Sequence, residues 1–488
     1  SGPFELSPER GRFALLYSFV EHRSLTFSVP VARFVVPDLA QNSAGQYVSL
    51  FAPGVSFIVM PGYLLGRMIG LSQVGTFMAV AVFAVLNMYL IRTISARVGT
   101  SRFSGTIAAL TFGFATPAFA YGVDLYQHHI STFIILFSVF LLIRFQHPFA
   151  FMGVWFLAAL SIVVDNPNLF LMLPIGLYAV YRFFGIYRDN VTADGKPIRR
   201  ALLYLATFGV MALPMGGFLW YNQVAYGNPF QLPGTLHTVN EIGPDGRPME
   251  RSSYEFETGR TYKTSAADSA TYEKTAVGFF KTRNMYDGFF THFVSRDRGI
   301  VFYTPVILLG IVGLVLLYRT KPEIVALLTS VIGIDVLLYS LWGDPWGGWA
   351  FGSRYLIPAY ALLAVGIAVG LTKWRWQWIF TAVFVPLFLY SAWVNTLGAV
   401  TTNMIPPKGQ VLTMEQQSGH EEKYTFMRSW EFLQRKYSDV GVKSFVYQSW
   451  AGSFSDPIEY FAVVYGLVVL AGAGAGAGLV YEEIRNKR

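Results

Sequence analysis

Along this 488-residue chain, the side chains able to do chemistry gather in short polar stretches between long apolar runs. The first, "LSPERGRFALLYSFVEH", carries Glu9, Arg10, Arg12, Glu21 and His22, and Asp38 follows it. A second, "DLYQHH", holds Asp124, His128 and His129, with Asp165 further on. A third, "VSRDRGIVFYTP", brings Arg296, Asp297 and Arg298 to the start of an apolar run. A fourth, "WGDPWGGWAFGSRYLIP", sets Asp344 and Arg354 among Trp342, Trp346, Trp349 and four glycines. Carboxylates in such places can take a proton from a hydroxyl. Guanidinium groups bind phosphate through paired hydrogen bonds.

Other chemistries fit less well. Asp124 and His128 are four apart and can share a helix face. With His129 they resemble a metal cluster, but adjacent histidines point about 100° apart on a helix and cannot easily serve one ion. The chain has no cysteine and no HExxH spacing. No metal and no cofactor is expected, and Asp124 and His128 read as polar packing or as hydrogen-bond partners of a substrate. Tryptophan and arginine at helix ends are ordinary interface anchors. Four glycines within ten residues make a poor anchor, yet they permit tight turns and close backbone approach, so the 342–358 loop is expected to contact a ligand. Without cysteine there is no disulfide framework and no thiol nucleophile.

The elements that position these residues are membrane-like. The chain is 53% hydrophobic and only 14% charged, against roughly 25% charged in soluble domains. Its net charge of +8 does not imply nucleic acid, because Lys and Arg gather near lipid phosphates and in cytoplasmic loops. Eleven apolar runs approach the length needed to span about 30 Å of hydrocarbon: 74–92, 103–121, 127–144, 148–164, 168–183, 201–221, 300–318, 323–341, 355–371, 377–396 and 458–481. A twelfth, 51–70, is broken by Pro53 and Pro61 and is expected to lie in the interface or re-enter. Basic residues cluster in every second connection, from "RTISARVGTSR" to the tail "RNKR". The positive-inside rule makes that side cytoplasmic.

The expected organisation is therefore all-α and polytopic. An external first loop with membrane-surface helices covers 1–73, and transmembrane helices 74–221. An external loop covers 222–299, and further transmembrane helices 300–396. A loop or small cap at 397–457 precedes a last span and cytoplasmic tail at 458–488. This topology puts residue 1 outside the cytoplasm, which leads us to expect a helix or signal upstream. Phe13, Leu16, Tyr17 and Val20 lie at helical spacing, so the opening helix is expected to rest that face on the membrane. Apart from Glu323 and Glu459 at span starts, Asp335 is the one acid inside a span. It is either functional or bonded to a neighbouring helix. "AGAGAGAG" (471–478) in the last span reads as close helix packing.

The order of these stretches resembles a known family. After the acidic opening and amphipathic helix come "GQYVSLFAPGVSFIVMPGYLLG", "YNQVAYGNPF", "RDRGIVFYTPV" and "WGGWAFGSRYLIP". The series is similar to the polytopic glycosyltransferases of the GT-C superfamily, especially relatives of the protein O-mannosyltransferases and aminoarabinose transferases. The resemblance implies a GT-C-like helix bundle in a bacterial or archaeal cell membrane. It implies a transferase that takes a sugar from a polyprenyl-phosphate donor to an acceptor hydroxyl of a glycan, lipid or protein. Transfer would occur on the extracytoplasmic face, with inversion, among membrane lipids and without nucleic acid. On this comparison Arg296, Arg298 and Arg354 would hold the donor phosphate, and Tyr47, Trp346 and Trp349 would stack on sugar faces. Glu21, Asp124 and His128 would contact substrate. The family's first loop carries an Asp-Glu pair whose Asp is the base; here the place reads Ser7-Pro8-Glu9. Glu9 is the expected base, with Asp38 next. A lipid or glycan transporter of the same topology, or a GT-C-like partner subunit with altered catalysis, are the alternatives.

Overall fold

The computed structural model describes residues 4, 7–194, 197–249, 280–282, 285–296, 298–345, 347–348, 350–373, 377–401, 416–417, 419 and 442–486. Ser7–His22 forms α1 and Val29–Val35 forms α2. Gly54–Ile58 and Met60–Met68 are α3 and α4, and α5 runs over Ser72–Arg97. Arg102–Phe114, His128–Arg144 and Pro148–Val164 are α6, α7 and α8. Asn168–Asp194 is α9, Pro197–Ala206 is α10 and Ala212–Tyr226 is α11. Later helices are named by range: Met285–Phe293, Leu309–Tyr318, Pro322–Ser340, Ile357–Lys373, Gln377–Val400 and Pro457–Asn486.

Among the described residues, seven helices are long and apolar enough to cross a membrane: Ser72–Arg97, Asn168–Gly185, Leu202–Tyr226, Pro322–Ser340, Arg354–Thr372, Trp378–Val400 and Pro457–Arg485. Shorter apolar helices lie among them: α6, His128–Arg144 and Pro148–Val164 in succession, and Pro305–Tyr318 later. Val82, Val85 and Tyr89 form an exposed stripe on α5, and Leu467 and Leu470 do so on the last helix. Stripes of this kind suit lipid, not water. The chain is a multi-pass membrane protein.

The basic connections meet at one end of the bundle. There Lys321 Nζ donates to the Arg97 carbonyl (2.9 Å), Thr372 Oγ1 accepts from Ser101 N–H (3.2 Å) and Tyr181 bonds Glu323 (2.7 Å). The other end carries the first loop. α3 and α4 begin and finish at that end. A Cβ on Gly54 would strike Val163 and Val164, the last residues of α8, and one on Gly66 would strike Leu71 and Gly75 at the first turn of α5. The 51–70 segment forms two short helices that pack against the last residues of α8 and the first turns of α5.

Two sequence expectations need correction. The run 103–121 is not one helix, because α6 stops at Phe114 and Pro117 follows. Proline disfavours helix at the residue before it. Residues 116–124 then form turns, and α7 starts only at His128. Asp124 and His128 therefore share no helix face. On α1 the structure adds what the apolar spacing did not give. Its buried residues are Glu9, Gly11, Arg12, Ala14, Leu15, Leu16 and Ser18, whereas Tyr17 is exposed. The buried face holds Glu9, Arg12 and Leu16, at i, i+3 and i+7, so α1 turns a charged pair toward the bundle.

Short strands knit the cap over this end. Strand β1 (Leu39–Gln41) pairs antiparallel with β2 (Tyr47–Ser49) and with β3 (His237–Val239). The register sets Ala40 opposite both Val48 and Thr238. The first loop and the start of the second large loop share this sheet, and its apolar side packs on α1 and α11 through Leu15, Leu39, Val48, Tyr221 and Val239. The main core lies below, among α5 to α9 and Ile357–Lys373. Asp335 sits within it. Its Oδ2 accepts the Ala359 N–H (3.1 Å) at the start of Ile357–Lys373, capping an N-terminal donor that lacks an intrahelical partner. In the last helix, Gly472 and Gly478 lie against the rings of Phe388 and Phe103, while Gly474 and Gly476 have open space beside them.

Candidate active site

Three segments meet under the cap: α1, the turn before α7, and the glycine-rich 342–356 loop. The turn provides Tyr126, a buried ring around which the site is built. Arg12 Cζ lies 5.3 Å from its centroid and Arg354 Cζ lies 4.7 Å from it. His128 stacks on the same ring at 5.6 Å and 7°. Arg354 also lies 5.3 Å from the Tyr355 ring, which stacks on Tyr339 at 4.4 Å. Arg12 also covers Phe51 at 4.8 Å. Such contacts hold a guanidinium plane in place while leaving its N–H edges available.

Backbone carbonyls fix the guanidiniums further. Arg12 Nη1 donates to Leu125 O (3.1 Å), and its Nη2 to Gln127 Oε1 (2.6 Å). Gln127 in turn donates to Asp165 Oδ2 (3.1 Å). Arg354 Nη2 donates to Gly347 O (2.9 Å) and Arg298 Nη1 to Gly348 O (3.2 Å). Asp344 Oδ2 holds the Gly348 N–H at 2.9 Å. The glycines earn their place here: Gly347, Gly348 and Gly352 have φ of +68°, +66° and +59°, a region costly for residues with a Cβ. Only with that backbone can adjacent carbonyls turn toward two arginines.

Glu9 enters from α1. It is 1% exposed, and its Oε1 accepts the Leu125 N–H at 3.4 Å. Burial lowers the Arg12 pKa; the nearby Tyr126, Asp165 and Glu9 oppose that shift, and Arg354 reinforces it. Burial also lifts the Asp165 carboxyl to about 6, against the pull of Arg12, Gln127 and Arg354. Arg12 and Arg354 thus lie within electrostatic reach of Asp165, a carboxyl reluctant to ionise, and Arg12 within reach of Glu9 as well. Several buried donors remain without hydrogen-bond partners among the described residues: Arg354 Nε and Nη1, Arg12 Nε, the Tyr126 hydroxyl and His128 Nε2. The Tyr126 hydroxyl is in close side-chain contact with Arg354, though the pair falls short of full hydrogen-bond geometry. Buried polar atoms are normally satisfied, so a concentration of orphans on cationic groups marks a place for an anion.

The chain is similar to ArnT. The crystal structure of ArnT from Cupriavidus metallidurans in the apo state shares 14% identity, with a TM-score of 0.44 over 85% of this chain and 68% of that one. The structure of the same protein bound to undecaprenyl phosphate also shares 14% identity with a TM-score of 0.44, over 97% of this chain and 73% of that one. No family model and no curated protein matches. At this distance the chain's own residues must speak for its chemistry.

Of the residues singled out in the sequence, Glu9, Arg298, Arg354 and His128 come together. Arg296 is exposed, two positions from the buried Arg298. Asp38 lies at the start of α1, where it accepts a hydrogen bond from Ser7 Oγ and faces Arg10. Glu21 is held by Tyr63 (2.7 Å) and Arg67 (2.7 Å) at the other end of α1, about 18 Å along the helix from Glu9. Tyr47 donates to Gly246 O (2.8 Å) inside the cap. The Asp124 carbonyl accepts the Tyr126 N–H (2.7 Å), closing the turn. Trp346, Trp349 and Asp297 lie outside the described residues. His129 turns away from His128, toward Ala118 O (2.8 Å) and Asn87. No group of three metal-ligating side chains occurs among the described residues. Sequence reasoning gave Arg12 and Asp165 no role and missed Tyr126 and Gln127. The i, i+3 spacing of Glu9 and Arg12 was an available signal for Arg12; nothing local distinguishes Tyr126 from other aromatics.

A roomier groove, about 590 Å³, lies between α9 and Pro322–Ser340, lined by Leu173, Leu177, Tyr181, Glu323 and Leu327 among others. It shares no residue with the Tyr126 cluster.

Proposed function

We propose that the protein is an integral-membrane glycosyltransferase that moves a sugar from a polyprenyl-phosphate donor to an acceptor hydroxyl, with inversion. The work would be done at the first-loop end of the bundle, on the extracytoplasmic face. The observation that carries the reading is Arg354, half-buried as a residue but with Nε and Nη1 buried and without hydrogen-bond partners among the described residues, acting on the same Tyr126 hydroxyl as the buried carboxylate of Glu9. A phosphate would satisfy those donors in pairs. Arg298, on the neighbouring glycine carbonyl, would add to the field at the leaving group.

In this mechanism Glu9 accepts the proton of the acceptor hydroxyl. The acceptor oxygen bonds to the anomeric carbon from the side opposite the phosphate, and the bond from that carbon to the phosphate oxygen breaks. Its electron pair stays on the phosphate, which gains a negative charge beside Arg354 and Arg298. Charge that grows in the transition state, near fixed guanidiniums in a dry site, is where catalysis gains most. No metal is needed for this step. The cluster lies at one end of the bundle rather than at its midplane, and the buried Asp335 is engaged in capping Ala359. Both points favour a transferase over a transporter.

The test is Glu9→Gln in membranes supplied with labelled polyprenyl-phosphate sugars, following release of polyprenyl phosphate. Loss of a general base lowers turnover by roughly 100- to 10,000-fold, with binding of the phosphate product retained. Full transfer by Glu9→Gln would remove Glu9 as base and shift the role to Asp38, checked by Asp38→Asn.

A further inference from the structure

Tyr126 sits where two like charges should repel. Arg12 and Arg354 are close enough that each disfavours the other's charge, yet both guanidiniums lie over the Tyr126 ring, at 5.3 and 4.7 Å from its centroid. One comes from α1 and the other from the 342–356 loop, more than 300 positions later in sequence. A ring's negative face attracts a cation, more strongly when water is excluded. Tyr126 itself is 2% exposed. Its hydroxyl, Arg12 Nε and Arg354 Nε and Nη1 are all buried, and none makes a hydrogen bond of full geometry among the described residues, the hydroxyl reaching Arg354 in a looser side-chain contact. Packing alone would account for a ring here, but not for a polar edge turned toward two cations.

We infer that Tyr126 is a positioning residue that clamps Arg12 and Arg354 into one anion-binding unit. The arrangement makes Arg12 a second phosphate ligand and lets the Tyr126 hydroxyl donate to the same phosphate. The inference rests on the phosphate reading above and deepens it. The ring lowers the repulsion between the two guanidiniums before the ligand arrives, and the ligand's charge then replaces that role. Gln127, bonded to both Arg12 and Asp165, keeps the first guanidinium from swinging away.

The experiment measures binding of farnesyl phosphate to the full chain in nanodiscs, with farnesol as the uncharged control and melting temperature measured alongside. Wild type binds the phosphate and not the alcohol; no binding by wild type would overturn the phosphate reading itself. Tyr126→Leu, which removes both stacks and the hydroxyl, weakens binding by about 30-fold or more. Tyr126→Phe, which keeps the ring, weakens it by about 3- to 10-fold. Arg12→Lys keeps the charge but not the planar stack and loses about 10-fold. Farnesyl phosphate affinity within twofold of wild type in Tyr126→Leu, with wild type binding normally, overturns the clamp. Should Tyr126→Leu fail to fold, unchanged affinity in Arg12→Lys overturns the stack, and unchanged affinity in Tyr126→Phe overturns the hydroxyl's part. A purely structural role lowers the melting temperature of these variants and leaves phosphate affinity alone.

Discussion

Replacing Arg354 tests the proposed site most directly. Its guanidinium is held by a hydrogen bond from Nη2 to Gly347 O at 2.9 Å and by contacts with Tyr126 and Tyr355. Nε and Nη1 remain for a ligand. Arg354→Lys retains a cation but offers no planar fork, so it forfeits one of two charge-assisted bonds and most of the stacking. A hydrogen bond to a charged group contributes about 1.5–3 kcal/mol, so the loss comes to about 2–3 kcal/mol. At 1.36 kcal/mol per tenfold, that is a drop of roughly 30- to 150-fold in phosphate affinity. Arg354→Ala removes the charge as well and costs about 4 kcal/mol, near a thousandfold. The assay is titration with farnesyl phosphate in nanodiscs, followed by donor turnover in membranes. Because negative charge grows on the leaving phosphate, kcat for the lysine variant falls along with kcat/KM, which marks an interaction strengthened in the transition state. Arg354→Ala binding phosphate within threefold of wild type, at an unchanged melting temperature, would refute the assignment of this cluster to the donor phosphate.

Other predictions concern the surroundings of the clamp. Asp165, lifted to about 6 by burial, gains a negative charge near Arg12 as pH rises through that value, while farnesyl phosphate gains its own second charge at about pH 6. The ligand's ionisation is common to both proteins, so the affinity advantage of Asp165→Asn over wild type grows as pH rises through about 6, and a constant ratio across that range would show that Asp165 does not act on the site. The same shift has a stability consequence. The folded chain holds this proton more tightly than the unfolded one, so the contribution is complete below the ordinary carboxylate value and is lost as pH rises through about 6. The pH dependence of the melting temperature, compared with Asp165→Asn, reads it out. Gly352→Ala meets both an unfavourable φ of +59° and Pro117 Cγ at 2.8 Å, and is expected to cost about 2–3 kcal/mol. Gly348→Ala, at φ +66° but with open space beside it, costs about 1–2 kcal/mol. Thermal unfolding ranks them, and equal losses would show that backbone strain alone dominates this loop.

Much of the architecture could be read from local chemistry. The apolar runs mark the spans because no irregular backbone can cross hydrocarbon exposed to lipid. The alternation of basic connections placed them at one end, and in the structure Lys321 and Arg97 do meet there. The glycine-rich loop announced tight turns, and Gly347, Gly348 and Gly352 take the left-handed backbone that those turns need. These features depend on short stretches of chain and on solvent, both of which a single sequence carries.

What the sequence could not rank were competing faces and neighbours. On α1, the spacing of Phe13, Leu16, Tyr17 and Val20 marks an apolar face expected to rest on the membrane, and it does not say that Glu9 and Arg12 turn inward with Leu16. In a membrane protein an apolar face can be satisfied by lipid as well as by core, so hydrophobicity no longer says which way a helix points. Burial of Arg298 rather than Arg296 follows from where the Gly348 carbonyl stands, a fact set some fifty residues away. Tyr126 was one aromatic among many until α1 and the 342–356 loop laid a guanidinium against its ring. Composition and spacing therefore decided that this chain spans a membrane and gathers its charges at one end. Only the tertiary structure decided which charges share a site, because that pairing comes from contacts between segments that carry no record of each other in the sequence.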